Sequence, residues 1–210
     1  KEVALKKNLD QKIKPGRYKI ESGTDNTDLV NMIKAGNQTE SSFRIGDFND
    51  VYQMIGRVSR KTEADSLTFV KEFNKIAVSK GYNNAEDLKK YFFADTYQFF
   101  WTVKPAEFFE KFENQYQEFW NEERLAKERK LNLSREEIYA LASIVYKESG
   151  GKTDEQKTIA GLYLNRVRKG MKLQSDPTVI YAINKENNFT QDIKRVLYKH
   201  LSFPSPYNTY

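Results

Sequence analysis

Glu148 carries the strongest chemical signal in this chain. It closes the helical stretch LSREEIYALASIVYKESGG (133–151). That stretch opens with a capping box, Ser134 as N-cap and Glu137 three residues on. It ends at Gly150 and Gly151, which suit a left-handed C-cap. Ile138, Leu141, Ala142 and Val145 recur at helical spacing as an inward stripe, and Glu148 falls on its border beside Leu141. A carboxylate there meets two unfavourable influences, partial desolvation and the free carbonyls of the helix C-terminus. Both favour the protonated form, and a glutamic acid that keeps its proton near neutral pH is what general acid catalysis requires. The same local pattern also fits a surface glutamate at a frayed helix end.

Polar groups that could serve such an acid follow it closely. Ser149 is its neighbour. KTDEQKTIAGLYLNRVRKGMKLQSDPTVIYAI (152–183) reads as a helix capped by Thr153, with Ile159, Ala160, Tyr163, Leu164 and Val167 as its apolar face and Gly170 as its stop. In the SDP that follows, Asp176 suits an N-cap and Pro177 the first helical position of a short helix over 178–183. Asn165, Gln174 and Asp176 thereby lie near helix ends and in a loop, where structural roles compete with functional ones. Tyr163 and Tyr181 read as core. The chain closes on SPYNTY, with Tyr207 and Asn208 as exposed polar and aromatic candidates.

The elements that must position these residues divide in two. Residues 1–90 alternate short strand and helix signals: KPGRYKI (14–20) as a strand, TDNTDLVNMIKAG (24–36) as a helix capped by Asp25 or Thr27, TESSFRI (39–45) as a strand and NDVYQMIGRVSRK (49–61) as a helix. From EADSLTFVKEFNKIAVSKGY (63–82) the chain is mainly helical. FFADTYQFFWTVKP (92–105) has no helical period and reads as a buried crossing segment. AEFFEKFENQYQEFWNEERLAKERK (106–130) reads as one long helix with an aromatic stripe. The expected architecture is α+β: a small β-α-β-α module in an N-terminal region (1–90), then a mainly helical domain (91–210).

Composition narrows the function. Among 210 residues there is no cysteine and a single histidine, His200. Thiolate chemistry, disulfides and Cys-based zinc sites are therefore excluded, and no His-rich metal site is available. The net charge of +6 favours acidic or polyanionic partners, yet acids and bases interleave, as in NEERLAKERK (121–130), which reads as a solvated helix rather than a nucleic-acid stripe. Fourteen Phe, 13 Tyr and 2 Trp suit an aromatic core, and equally the stacking of sugar rings. No apolar run is long enough to span a membrane and no signal peptide is visible.

LASIVYKESG, then IAGLYLNRVRKGMKLQSDPTVIYAI, then SPYNTY, in this order and spacing, resemble the YceG-like (MltG) family of endolytic murein transglycosylases. IKPGRYKI with TDLVNMIKAGNQT is similar to that family's small LysM-like module, and FFADTYQFFW to its junction, so the resemblance covers nearly the whole chain. It implies a lysozyme-like catalytic domain that cleaves the β-1,4 bond from N-acetylmuramic acid to N-acetylglucosamine inside peptidoglycan strands and leaves 1,6-anhydro ends. Glu148 maps onto the catalytic acid, which would then act as base. Ser149, Gln174, Asn165, Asp176, Tyr207 and Asn208 are the expected substrate-binding or orienting residues. No cofactor and no metal are implied. The implied partners are glycan strands and proteins of cell-wall synthesis, with no nucleic acid, and the implied location is the inner membrane, through a single-pass N-terminal anchor outside this chain. Two departures stand out. Members read Glu-Lys-Glu-Thr where this chain has Tyr146-Lys147-Glu148-Ser149, and the family continues past YNTY, so part of the cleft wall is expected beyond Tyr210. A non-catalytic peptidoglycan-binding scaffold of the same fold is the alternative.

Overall fold

Alternating burial along two short segments builds the sheet. Strand β1 (Ser41–Ile45) turns Ser41, Phe43 and Ile45 inward, and β2 (Asp95–Phe99) turns Tyr97 and Phe99 inward. The two pair antiparallel with Phe43 opposite Tyr97 and Ser41 opposite Phe99, a register that places every ring on one face. The computed structural model describes residues 2–190 and 193–210, and contacts divide the chain into two units between Asn121 and Glu122.

The N-terminal unit comprises α1 (Glu2–Lys6), α2 (Asn26–Ala35), β1, α3 (Val51–Val58) with a 3-10 turn over Ser59–Lys61, α4 (Ser66–Ser79), a 3-10 segment over Ala85–Tyr91, β2 and α5 (Pro105–Phe119). Asp25, Asp50 and Asp65 cap α2, α3 and α4 by accepting from backbone N–H groups. Phe69 and Phe73 of α4, Phe92, and Phe108, Phe109 and Phe112 of α5 form its aromatic core with the sheet. Phe108 alone has five rings around it, those of Phe43, Phe69, Phe73, Phe99 and Phe112, at centroid distances from 4.5 to 6.5 Å.

Three expectations are corrected here. Residues 14–20 form no strand: Thr39 N–H donates to the Arg17 carbonyl and Lys19 N–H to Thr39 Oγ1, but no ladder develops. Ile20 is 60% exposed. The partner of β1 is instead the aromatic segment read as a crossing, so the local β-α-β-α module is absent. The long helix expected over 106–130 is two helices, because α5 stops at Phe119 and α6 (Glu122–Leu131) starts afresh. The segment 91–121 lends β2 and α5 to the N-terminal core.

The C-terminal unit holds α6, α7 (Arg135–Glu148), α8 (Thr153–Arg168), α9 (Asp176–Glu186) and a 3-10 turn over Tyr198–His200. As read from NEERLAKERK, α6 buries nothing. The apolar core is small: Val145, Tyr163, Val179, Ala182 and Ile183. Buried polar groups, Ser149, Ser175, Thr178 and Asn184, take a large share of its interior. Such groups must be hydrogen-bonded to be tolerated, and their bonds organise the region around Glu148. Among the described residues no helix is long and apolar enough to cross a membrane.

Candidate functional site

Helix α7 forms as its caps dictate. Glu137 N–H donates to Ser134 Oγ at 3.2 Å, and Ser134 N–H to Glu137 Oε2 at 2.7 Å. Of the expected inward stripe only Val145 is buried, while Ile138 and Leu141 are half-buried and Ala142 is exposed. At the far end Gly150 N–H donates to the Lys147 carbonyl and Gly151 N–H to the Tyr146 carbonyl, the pairing of a Schellman motif. Glu148 is thus the last helical residue before the cap.

The side chain of Glu148 is exposed. The desolvation expected to hold its proton is therefore not supplied by the free chain. What the chain supplies is two hydroxyls beneath it. Tyr163 Oη, on α8, donates to Oε1 at 3.1 Å, and Ser175 Oγ, before α9, donates to Oε2 at 3.5 Å. Tyr163 is 3% exposed and Ser175 fully buried, so the carboxylate is addressed from the protein side and open on the other. Burial pushes the Tyr163 phenol up, the Ser175 hydrogen bond opposes this, and the Glu148 carboxylate adds to the rise.

Ser175 is held in turn by the C-terminal segment. Its N–H donates to Thr209 Oγ1 at 3.0 Å, Gln174 N–H donates to the Thr209 carbonyl at 3.0 Å, and Thr178 Oγ1 meets Thr209 Oγ1 at 2.8 Å. Tyr210 Oη donates to Asp176 Oδ1 at 2.6 Å. That hydrogen bond, followed by burial and the charges of Asp176 and Glu148, pushes the Tyr210 phenol up to about 12. Glu148, Tyr163, Ser175, Asp176 and Tyr210 therefore form one electrostatic neighbourhood built from three helices and the chain end.

The expected site residues fall into three groups. Asp176 and Gln174 join the neighbourhood. Asp176 is not the N-cap: Ser175 takes that position and Asp176 the first turn, which releases its carboxylate to Tyr210. Gln174 has a left-handed backbone, φ 56°, and its Oε1 accepts from Arg166 Nη1 at 2.9 Å. A non-glycine residue held there stores strain, a feature that clusters at functional sites. Ser149 and Asn208 serve the backbone. Ser149 Oγ donates to the Tyr146 carbonyl and accepts from Gly151 N–H, locking the helix end that carries Glu148. Asn208 Nδ2 donates to the Leu201 and Phe203 carbonyls and its Oδ1 accepts from Tyr210 N–H.

Asn165 and Tyr207 lie elsewhere. Asn165 is exposed two residues beyond Tyr163, about 200° around α8. Tyr207 is 43% exposed and packs edge-on against Tyr181, 5.2 Å between centroids, with Lys185 Nζ 4.7 Å from its ring centre. Tyr181 is accordingly half-buried, not core. Sequence reasoning missed Ser175, Thr209 and Tyr210 as site residues and read Tyr163 as core alone. The signals present were the Ser preceding Asp176 and the last two residues of YNTY. Among the described residues no group of three or more His, Asp or Glu side chains could hold a metal ion.

The YceG-like family matches residues 2–210, and the chain belongs to that family. A stretch of 82 residues, 39% of this chain, is 43% identical to the endolytic murein transglycosylase of Bacillus subtilis strain 168. The corresponding figures for the endolytic murein transglycosylase of Streptococcus pneumoniae serotype 2 (strain D39 / NCTC 7466) are 82 residues, 38% and 35%. These matches span only 21% and 14% of those relatives' own lengths. A crystal structure of a YceG-like protein from Listeria monocytogenes aligns with 98% of this chain and 70% of its own, at 23% identity and a TM-score of 0.55, a likeness of fold.

Proposed function

We propose that the C-terminal unit is a lytic transglycosylase acting inside peptidoglycan glycan strands, with Glu148 as general acid and then base. The observation that carries this reading is the Glu148 carboxylate, bonded from below by Tyr163 and Ser175 and open above. Bound sugar would cover the open side and withdraw the carboxyl from water. The protonated carboxyl then gives its proton to the glycosidic oxygen, the bond from C1 of N-acetylmuramic acid to that oxygen breaks, and N-acetylglucosamine leaves with a free hydroxyl. The substrate's N-acetyl oxygen stabilises the positive C1. Glu148, now a carboxylate, removes the proton from the C6 hydroxyl, whose oxygen bonds to C1 and closes the 1,6-anhydro ring. The proton is returned and no water is consumed, so one carboxylate suffices where most glycoside hydrolases use two.

Gln174 and Asp176 are candidates for substrate contact, and the exposed ring of Tyr207, packed on the half-buried Tyr181, offers a face for sugar. Asn165, Asn208 and Ser149 are proposed only in supporting roles. The endolytic murein transglycosylase activity of the Bacillus and pneumococcal relatives supports the substrate class and a place at the cell wall. The inner-membrane anchor implied by the family resemblance is not carried by any described helix.

The test is mass spectrometry of soluble products from purified sacculi incubated with the chain and with Glu148→Gln. Anhydromuramic ends from the parent alone are expected. Reducing ends would mean a hydrolase. Sacculus binding without products from the parent would replace the enzyme with the non-catalytic scaffold.

A further inference from the structure

The two oxygens of Glu148 are not equivalent. Oε1 has the closer donor, the phenol of Tyr163 at 3.1 Å, on a residue only 3% exposed. Oε2 has Ser175 Oγ at 3.5 Å, at the limit of a hydrogen bond. An oxygen that accepts a hydrogen bond from a rigid donor keeps its lone pairs engaged, and in a carboxylic acid it is the carbonyl oxygen that accepts best. The proton then resides on the other oxygen.

Resting on the transglycosylase reading above, we propose that Tyr163 is the positioning residue of the general acid: its hydroxyl holds Oε1 and so makes Oε2 the oxygen that gives the proton to the glycosidic oxygen and takes the next one from the C6 hydroxyl. Ser175 Oγ, 3.5 Å from Oε2, steadies the carboxylate once Oε2 has given the proton away and until the C6 hydroxyl delivers its own. Neither Tyr163 nor Ser175 needs to touch sugar. Both are buried under the carboxylate, and the phenol does not ionise in the working range because burial raises it.

The experiment uses the full chain and its Tyr163→Phe variant, which keeps the ring that fills the core and removes only the hydroxyl. Turnover of glycan strands to anhydro ends is expected to fall about 10- to 100-fold, the range for losing a hydrogen bond to a charged group, with KM unchanged. A second reading does not depend on turnover. In chain carrying ring-labelled tyrosine, the Tyr163 resonance, assigned with Tyr163→Phe, is expected to titrate at lower pH in Glu148→Gln than in the parent. A phenol that merely fills the core would not respond to that carboxylate. An active parent whose Tyr163→Phe variant turns over equally well overturns the positioning role alone. A Tyr163 titration unmoved by Glu148→Gln overturns the pairing itself. A parent that makes no anhydro ends overturns the transglycosylase reading and the role with it, while the titration still judges the pair.

Discussion

Replacing Gly150 isolates the contribution of the helix end that carries Glu148. Gly150 sits at φ 59° with its N–H on the Lys147 carbonyl. A Cβ built there meets no atom within 4 Å, so Gly150→Ala introduces no clash, and its whole effect is the cost of a left-handed backbone. That cost is roughly 1–2 kcal/mol, against about 0.4–1 kcal/mol gained by restricting the unfolded chain. The net loss is about 1 kcal/mol. It falls on the last turn of α7, whose opening frees the amides of Gly150, Gly151 and Lys152. One kcal/mol is about a fivefold change in an opening equilibrium, so hydrogen exchange in peptides covering 145–152 should accelerate about fivefold in Gly150→Ala. Exchange in the α5 peptides should not change. Gly150→Asn, whose side chain tolerates the left-handed region, should exchange less than about twofold faster. Equal rates in the parent and Gly150→Ala would refute the reasoning, as would an Asn variant as fast as the Ala one, since backbone conformation would then not be what holds Glu148 at the helix end.

Phe108→Ala removes a ring that is 1% exposed and surrounded by five others, and should destabilise the N-terminal unit by roughly 3–5 kcal/mol. Trp101 and Trp120 both lie in that unit, so their fluorescence reads its urea transition, and the midpoint should drop by more than about 1 M. Burial, followed by the charge of Asp95, pushes the Tyr97 phenol up to about 12. The folded chain therefore keeps a proton that the unfolded chain releases from about pH 10, and stability falls as pH rises from there towards the folded value. The same transition measured across that interval should weaken less in Tyr97→Phe.

What the sequence disclosed and what it concealed follow one physical line. The capping box of α7, the double glycine after Glu148 and the solvated α6 are local, each decided within four or five residues, and each was legible. The pairing of β1 with β2 was not, although Tyr97 and Phe99 alternate with outward residues as a strand requires. A run so rich in rings hides a period of two, and the partner lies some fifty residues upstream. The expected strand at 14–20 failed for the converse reason: its alternation was present, but no neighbouring strand completed a ladder. Asp176 was misplaced by one position because SDP offers two adjacent caps, and only the folded chain assigns Ser175 to the helix end and Asp176 to Tyr210.

The site itself obeys the same division. Sequence position put Glu148 at a helix end and suggested that the helix would partly desolvate it, yet the helix leaves it exposed. Its surroundings come from residues 15 and 27 positions later, Tyr163 and Ser175, with Thr209 fastening Ser175 from the chain end. A tyrosine on the apolar face of α8 satisfies the helical pattern whether its hydroxyl points at a carboxylate or at nothing, so periodicity cannot single it out. On the transglycosylase reading proposed above, the two buried donors below Glu148 mean that the carboxyl need not be buried in advance. Substrate closing the open side would complete its desolvation and so confine the favourable environment for proton transfer to the moment when a glycan strand is bound.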